Sequence, residues 1–292
     1  MSNYRLEGKT FVIDDYDRLP AFSSFLPGLA GVKGIPMWTF YTNRGQGMNS
    51  FGIDNKGNAI MEFNSANTAF ENTQVKGFRT FLKIDGEYYE PFFTYEKEAK
   101  RQMRMNKNSF KIIETNEKYG IEVTVNYYVL PNESIGALVR QVSVKNIGDS
   151  AKEVQVIDGL PKIITYGIAN GEFKEMSNLF KSWADIRNLE NKVPYYTLRA
   201  STKDSAEVSD VEGGYYYLTV RDGKLQDVIY DVDTVFGYDL SLMTPVNFID
   251  GSIEGVLSKE QCFANKVPCG FTPFKEVVEP GKELAFDTMM GF

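Results

Sequence analysis

The stretch Ile121–Val129, IEVTVNYYV, decides the fold class. Ile121, Val123, Val125, Tyr127 and Val129 recur at every second residue, with Glu122, Thr124, Asn126 and Tyr128 between them. A period of two puts the two sets on opposite faces of an extended chain, so the stretch predicts a strand with one face in a core and the other in water. Working outward, PNES at Pro131–Ser134 predicts a turn, Ala137–Lys145 a second strand, NIGDS another turn and Glu153–Leu160 a third strand. This is a meander with the turn spacing of a sandwich. Arg140 falls on the apolar face of the second strand, in step with Leu138, Val142 and Val144. A buried guanidinium needs a carboxylate or several carbonyls, so a structural ion pair is the first expectation and a ligand contact the second.

Further hairpins are marked by glycine turns in IDNKGNAI (Ile53–Ile60), KIDGEYY (Lys83–Tyr89), NEKYGI (Asn116–Ile121) and VRDGKL (Val220–Leu225). Strands are also expected at Tyr215–Val220, Asp227–Asp231 and Leu284–Met289. An aromatic content of 14%, with 17 Tyr and 21 Phe, suits strands or surfaces that stack on flat ligands. The fold class is therefore all-β, a large β-sandwich. One helix is expected to interrupt it at Phe173–Glu190, where Phe173, Met176, Leu179, Phe180, Trp183, Ile186 and Leu189 recur at three- and four-residue steps. It would serve as a lid on one end of the sandwich or as an interface. No repeat or Pro/Ser-rich linker divides the chain, so residues 1–292 read as one domain. The closing run KELAFDTMMGF is apolar and strand-like, and predicts that the natural polypeptide continues beyond Phe292.

Bulk properties exclude several functions. A net charge of −7 disfavours nucleic acid and anionic membrane as partners. No charged-then-apolar leader precedes Ile13 and no apolar run is long enough to span a bilayer, so the expectation is a cytoplasmic protein. The chain has no histidine, which removes Ser-His-Asp and Cys-His catalysis, histidine zinc sites and imidazole acid–base chemistry. Cys262 and Cys269 match no usual zinc spacing and are expected as buried free thiols; no metal or organic cofactor is implied. Phosphate-binding loops of the GxxxxGK[ST] or GxGxxG type are absent.

Two places could carry chemistry. In MWTFYTNRGQGMNSFG, Trp38 and Tyr41 lie beside Asn43, Arg44 and Gln46 at a bend made by Gly45 and Gly47. Aromatic faces ringed by amides and a guanidinium are what a sugar requires, so these five residues are the candidate substrate-binding set. The alternative is a plain glycine turn. The acidic candidates are Asp14, Asp15, Asp231, Asp233 and Asp239, which could pair as glycosidase acid and base. Asp14 and Asp15 would face opposite ways in an extended segment, whereas Asp231 and Asp233 could share a face; the alternative, and the first expectation, is that they are solvated loop acids.

The segment Pro36–Lys83, through FYTNRGQ, SFGIDNK, AIMEF and GFRTFLK, resembles the N-terminal region of the 1,2-β-oligoglucan phosphorylases of glycoside hydrolase family 94, which also holds the cellobiose and chitobiose phosphorylases. VSVKNIGDSAKEVQVIDGLP at Val142–Pro161 is similar to that family's supersandwich, a galactose-mutarotase-like β-sandwich. The resemblance implies a downstream (α/α)₆ barrel whose aspartate protonates the glycosidic oxygen, with inorganic phosphate as co-substrate attacking by inversion to release glucose 1-phosphate from β-1,2-glucan. Nothing in this chain matches that barrel segment. The implied partners are a β-glucan oligosaccharide, the chain's own barrel domain and a second subunit in a homodimer. The implied role is accessory, and the chain alone is expected to be inactive. The competing reading is a stand-alone carbohydrate-binding or assembly sandwich. A mutarotase-like epimerase would need histidine and is excluded.

Overall fold

The computed structural model describes residues 3–93, 98–201, 206–207 and 209–292. Ile121–Val129 is a strand over the expected residues, with Ile121, Val123, Val125 and Tyr127 buried and Glu122, Thr124, Asn126 and Tyr128 half-buried. It lies inside an 11-stranded sheet, between Ser109–Asn116 and Ala137–Asn146. On one side the sheet continues through Lys100–Met105 and Thr10–Asp14 to the edge strand Tyr4–Glu7. On the other it continues through Glu283–Gly291, Tyr215–Arg221 and Tyr195–Leu198 to Ala184–Arg187, with Lys224–Leu225 hairpinned onto Tyr215–Arg221. Every strand pair is antiparallel.

Two four-stranded sheets lie against it. One has the order Gly270–Val278, Lys152–Leu160, Arg79–Ile84, Glu87–Tyr89; the other is Ser23–Ala30, Ile35–Thr42, Met48–Ile53, Asn55–Ala59. Val125 and Val142 from the large sheet, Leu82 and Val156 from the first small sheet, and Met37 and Phe51 from the second share one apolar core. This is the all-β sandwich expected, with one correction to its connectivity. Lys152–Leu160 does not extend the meander but crosses to the opposite layer, pairing with Arg79–Ile84 and Gly270–Val278.

That sheet is buried on both faces. Phe81, Ile157 and Phe271 point away from the main core and are covered by Val235, Phe236, Phe248, Ile253 and Val256. These come from the short helices Val232–Phe236, Val246–Asp250 and Ile253–Leu257. The expected strand Asp227–Asp231 is absent; only Ile229 bridges to Phe271. The Asp231 carboxylate instead accepts from the Asp233 amide and caps the first of the helices, which ends the extended run. The expected helix Phe173–Glu190 is shorter and earlier, Asn170–Phe180, with non-helical backbone at Met176. Its predicted second half becomes a 3₁₀ turn and the strand Ala184–Arg187, where Ala184 and Ile186 alternate inward against Tyr195–Leu198. A second helix of the same length, Ala66–Lys76, was not expected, because it buries only Ala69 and Thr73 and carries almost no apolar stripe.

Candidate functional site

Asn43-Arg-Gly-Gln-Gly47 is the hairpin turn between Ile35–Thr42 and Met48–Ile53. The Gly47 amide donates to the Arg44 carbonyl at 2.9 Å and the Thr42 amide to the Gly47 carbonyl at 2.6 Å. Gly47 has φ +82°, and a Cβ there would fall 2.4 Å from the Phe110 ring, so only glycine fits. The five candidate residues do not converge on one surface, which corrects the expectation of aromatic faces ringed by polar groups at this bend. Alternation sends Trp38 and Tyr41 to opposite sides of the sheet. Tyr41 is buried, stacked on Phe110 at 4.5 Å between centroids, and its hydroxyl donates to Met105 Sδ at 3.0 Å. Trp38 lies half-buried outside, edge-on to Phe63 at 5.3 Å and close over Gly52. Asn43 is buried: its Nδ2 donates to the carbonyls of Tyr16, Leu19 and Pro20 and its Oδ1 accepts from the Phe22 amide. Arg44 alone of the polar three is exposed, its guanidinium 5.7 Å above the Phe70 ring.

Gln46 turns into the core, to the residue that the strand pattern singled out. Arg140 is buried and its Nη2 donates to Asp158 Oδ1 at 2.7 Å, to Thr80 Oγ1 at 3.1 Å and to Gln46 Oε1. Arg140 Nη1 donates to the Tyr127 hydroxyl at 2.6 Å. Gln46 Nε2 and Asp158 Oδ1 close the ring through Thr80 Oγ1, at 2.8 and 2.6 Å. The structural ion pair expected for Arg140 is therefore present, and it absorbs Gln46.

The acidic candidates are mostly engaged. Asp231 and Asp233 both reach Lys266 Nζ at 2.5 Å, and Asp231, which is buried rather than a surface acid, also accepts from the Cys262 amide at 2.9 Å. Asp239 accepts from the amides of Ser241 and Thr244 and from the Ser241 hydroxyl, and these bonds, the hydroxyl first, hold its carboxyl below the usual range. Asp15 has φ +47°, so it is not extended, and it lines one hollow together with Asp14, Lys100 and Glu122. This corrects the expected opposition of Asp14 and Asp15. Asp14 is nonetheless held by Arg5 and by Gln102 Nε2 at 2.8 Å. Of the cysteines, Cys269 is buried as expected, whereas Cys262 is exposed.

Two acids were invisible in the sequence. Glu114 is buried, which pushes its carboxyl up to about 8; it accepts from Arg101 Nε and the Phe92 amide, both at 2.6 Å. Burial also raises Glu90, in a hollow of about 250 Å³ with Tyr88 and Met243, but Arg79 takes both of its oxygens at 2.7 and 2.8 Å. Each is tied to an arginine rather than presented to a ligand. Among the described residues no cluster of His, Cys, Asp or Glu could hold a metal ion. Among the described residues no helix is long and apolar enough to cross a membrane.

A groove of about 590 Å³ opens where the edge strand Ser23–Ala30 passes the end of Ile121–Val129. Its walls include Asn106, Asn108 and Ser109 from one hairpin, Tyr128, and Leu29 from the edge strand. Gly28 permits the close approach, since a Cβ there would lie 2.6 Å from Val129 Cγ2. Other hollows are charged: one holds Lys162, Lys181, Lys266, Asp233 and Asp239, another Lys192 and Asp227.

No protein-family model matches the sequence. No curated protein matches it either. Among solved structures the chain is similar to a polysaccharide lyase, with TM-score 0.43 and 7% identity over 88% of this chain; the chain spans 32% of the lyase's length. It is also similar to an aldose 1-epimerase from Klebsiella pneumoniae, with TM-score 0.36 and 11% identity over 98% of this chain and 88% of that one.

Proposed function

We propose that this chain is the N-terminal sandwich of a glycoside phosphorylase that cleaves β-1,2-glucan oligosaccharides with phosphate to release glucose 1-phosphate. In this reading it is an accessory domain: it packs against a catalytic barrel, supports subunit assembly and contacts glucan, and it works in the cytoplasm. The motifs FYTNRGQ, SFGIDNK, AIMEF and GFRTFLK support the family assignment. The observation that carries the accessory role is the state of the acids. Phosphorolysis needs a protonated carboxyl beside the glycosidic oxygen, in a pocket that raises its pKa. Asp231 and Asp233 are held by Lys266, Asp239 is pushed the wrong way, and the two raised carboxyls are locked to arginines.

The test is to incubate the purified chain with β-1,2-gluco-oligosaccharide and inorganic phosphate and to measure glucose 1-phosphate. We expect no release above a protein-free control, since losing the general acid alone costs about 10²–10⁴-fold in rate. Steady release that disappears in an Asp15→Asn or Asp233→Asn variant would overturn the accessory role. The second reading, a stand-alone carbohydrate-binding sandwich, is favoured by the uncharged groove beside Tyr128.

A further inference from the structure

We propose that the groove between the Asn106–Ser109 turn and the edge strand Ser23–Ala30 is a binding site for a neutral oligosaccharide, with Tyr128 as its aromatic surface and Asn108 and Ser109 as its hydroxyl partners. Charged residues make up 24% of this chain, yet the groove of about 590 Å³ is lined only by Pro, Gly, Leu, Val, Asn, Ser and Tyr side chains. Its size is within the range of small-molecule sites. No charged side chain lines the groove, although Lys107 is exposed in the same turn, so an anionic ligand would find no counter-charge in the walls themselves, whereas a neutral polyol needs none. Carboxamides and a hydroxyl both donate and accept, which suits sugar hydroxyls, and the apolar walls suit the C–H faces of the rings. Burial, with Asp287 nearby, raises the Tyr128 phenol, so it stays protonated and adds a donor.

The site is built rather than incidental. Asn106 Oδ1 accepts from the amides of Asn108 and Ser109, each at 2.9 Å, and its Nδ2 donates to Ser109 Oγ at 2.8 Å, so the turn is fixed. The Asn108 carboxamide has no intrachain hydrogen bond among the described residues and is exposed. The opposite wall is tied down by Gly31, whose amide donates to the Leu130 carbonyl at 2.9 Å, and by Val32, whose amide donates to the Glu133 carbonyl at 2.8 Å. A wall held in place before the ligand arrives lowers the ordering cost of binding.

This inference deepens the carbohydrate reading above and rests on it only for the choice of linkage. The experiment is calorimetric titration of the 292-residue chain with β-1,2-, β-1,3- and β-1,4-linked gluco-oligosaccharides, and with an oligogalacturonate and glucose 1-phosphate as anionic probes. We expect a neutral oligosaccharide to bind and the anions not to. Tyr128→Ala should weaken binding about tenfold, with Tyr128→Phe and Asn108→Ala intermediate. Melting curves of each variant establish that it is folded. Failure of every neutral oligosaccharide to bind, preference for an anion, or binding that Tyr128→Ala leaves unchanged would overturn the site. Binding of only β-1,3 or β-1,4 chains at Tyr128 would uphold the groove and count against the β-1,2-glucan assignment. Binding of β-1,2 chains that Trp38→Ala abolishes and Tyr128→Ala spares would do the reverse.

Discussion

Gln46 shows how one side chain can look like a ligand donor and be something else. In the sequence it stands beside two glycines and two aromatics at a turn; in the fold its amide bridges Arg140 and Thr80 inside the core, 3% exposed. The network needs every member, because a buried charge that loses a partner keeps its desolvation cost. Removing the Asp158 carboxylate with Asp158→Ala should therefore destabilise by about 3–5 kcal/mol. Gln46→Ala, which leaves the ion pair but strips one acceptor from the guanidinium, should cost about 1–3 kcal/mol. Replacing the pair by Arg140→Met with Asp158→Leu should recover much of the loss. Urea denaturation of the three variants checks this, and a double variant no more stable than Asp158→Ala would mean that the pair also fixes how the sheets face each other.

At the level of elements, what could be read depended on solvent. Ile121–Val129 was legible because one face is wet, giving alternation. Arg79–Ile84 is buried throughout, with cores on both sides, so no alternation marks it. Helix Ala66–Lys76 buries only Ala69 and Thr73 and carries almost no apolar stripe, so it was unreadable for the opposite reason. The candidate site failed for a third reason: Gln46 and Arg140 are 94 residues apart and Gln46 and Thr80 are 34 apart, so no local pattern could show that the donors point inward. The Tyr128 groove joins residues from three segments, 27–29, 106–109 and 128–131, and had no local signal at all. The Gly45 and Gly47 turn, by contrast, was legible as chemistry but ambiguous in purpose. Its purpose can be tested by comparing Gly47→Ala with Gly86→Ala. Both glycines have positive φ, +82° and +88°, but a Cβ at Gly86 meets nothing within 4 Å, whereas one at Gly47 meets Phe110. Gly86→Ala should lose only the strain, about 1–2 kcal/mol. Gly47→Ala should lose about 1–3 kcal/mol more from overpacking, read as a lower melting temperature. Equal losses would show that the turn gives way easily and is not stapled to the core.

Across the whole molecule, the arrangement of cores sets how it should unfold. The main core takes side chains from all three sheets, so neither small sheet can leave without exposing the large one. The sheet containing Lys152–Leu160 also carries the second core and its three short helices on its far face. Unfolding that sheet would open two apolar interfaces at once, and the polar row Arg140, Asp158 and Thr80 would be left unpaired in the process. A partly unfolded state of this kind loses contacts on both sides of one sheet while gaining chain entropy from only part of the molecule, which makes it unfavourable at every intermediate temperature. We therefore predict one cooperative transition, with the melting curve followed by far-ultraviolet circular dichroism coinciding with that followed by aromatic absorbance. Hydrogen exchange should be slowest in Lys152–Leu160 and Arg79–Ile84, which are covered on both faces, and fastest in the edge hairpin Tyr4–Asp14, where Tyr4, Leu6 and Phe11 are exposed. Two resolved transitions, or faster exchange in Lys152–Leu160 than in Ile121–Val129, would mean that the layer with the second core folds on its own, and residues 1–292 would then have to be divided at that sheet.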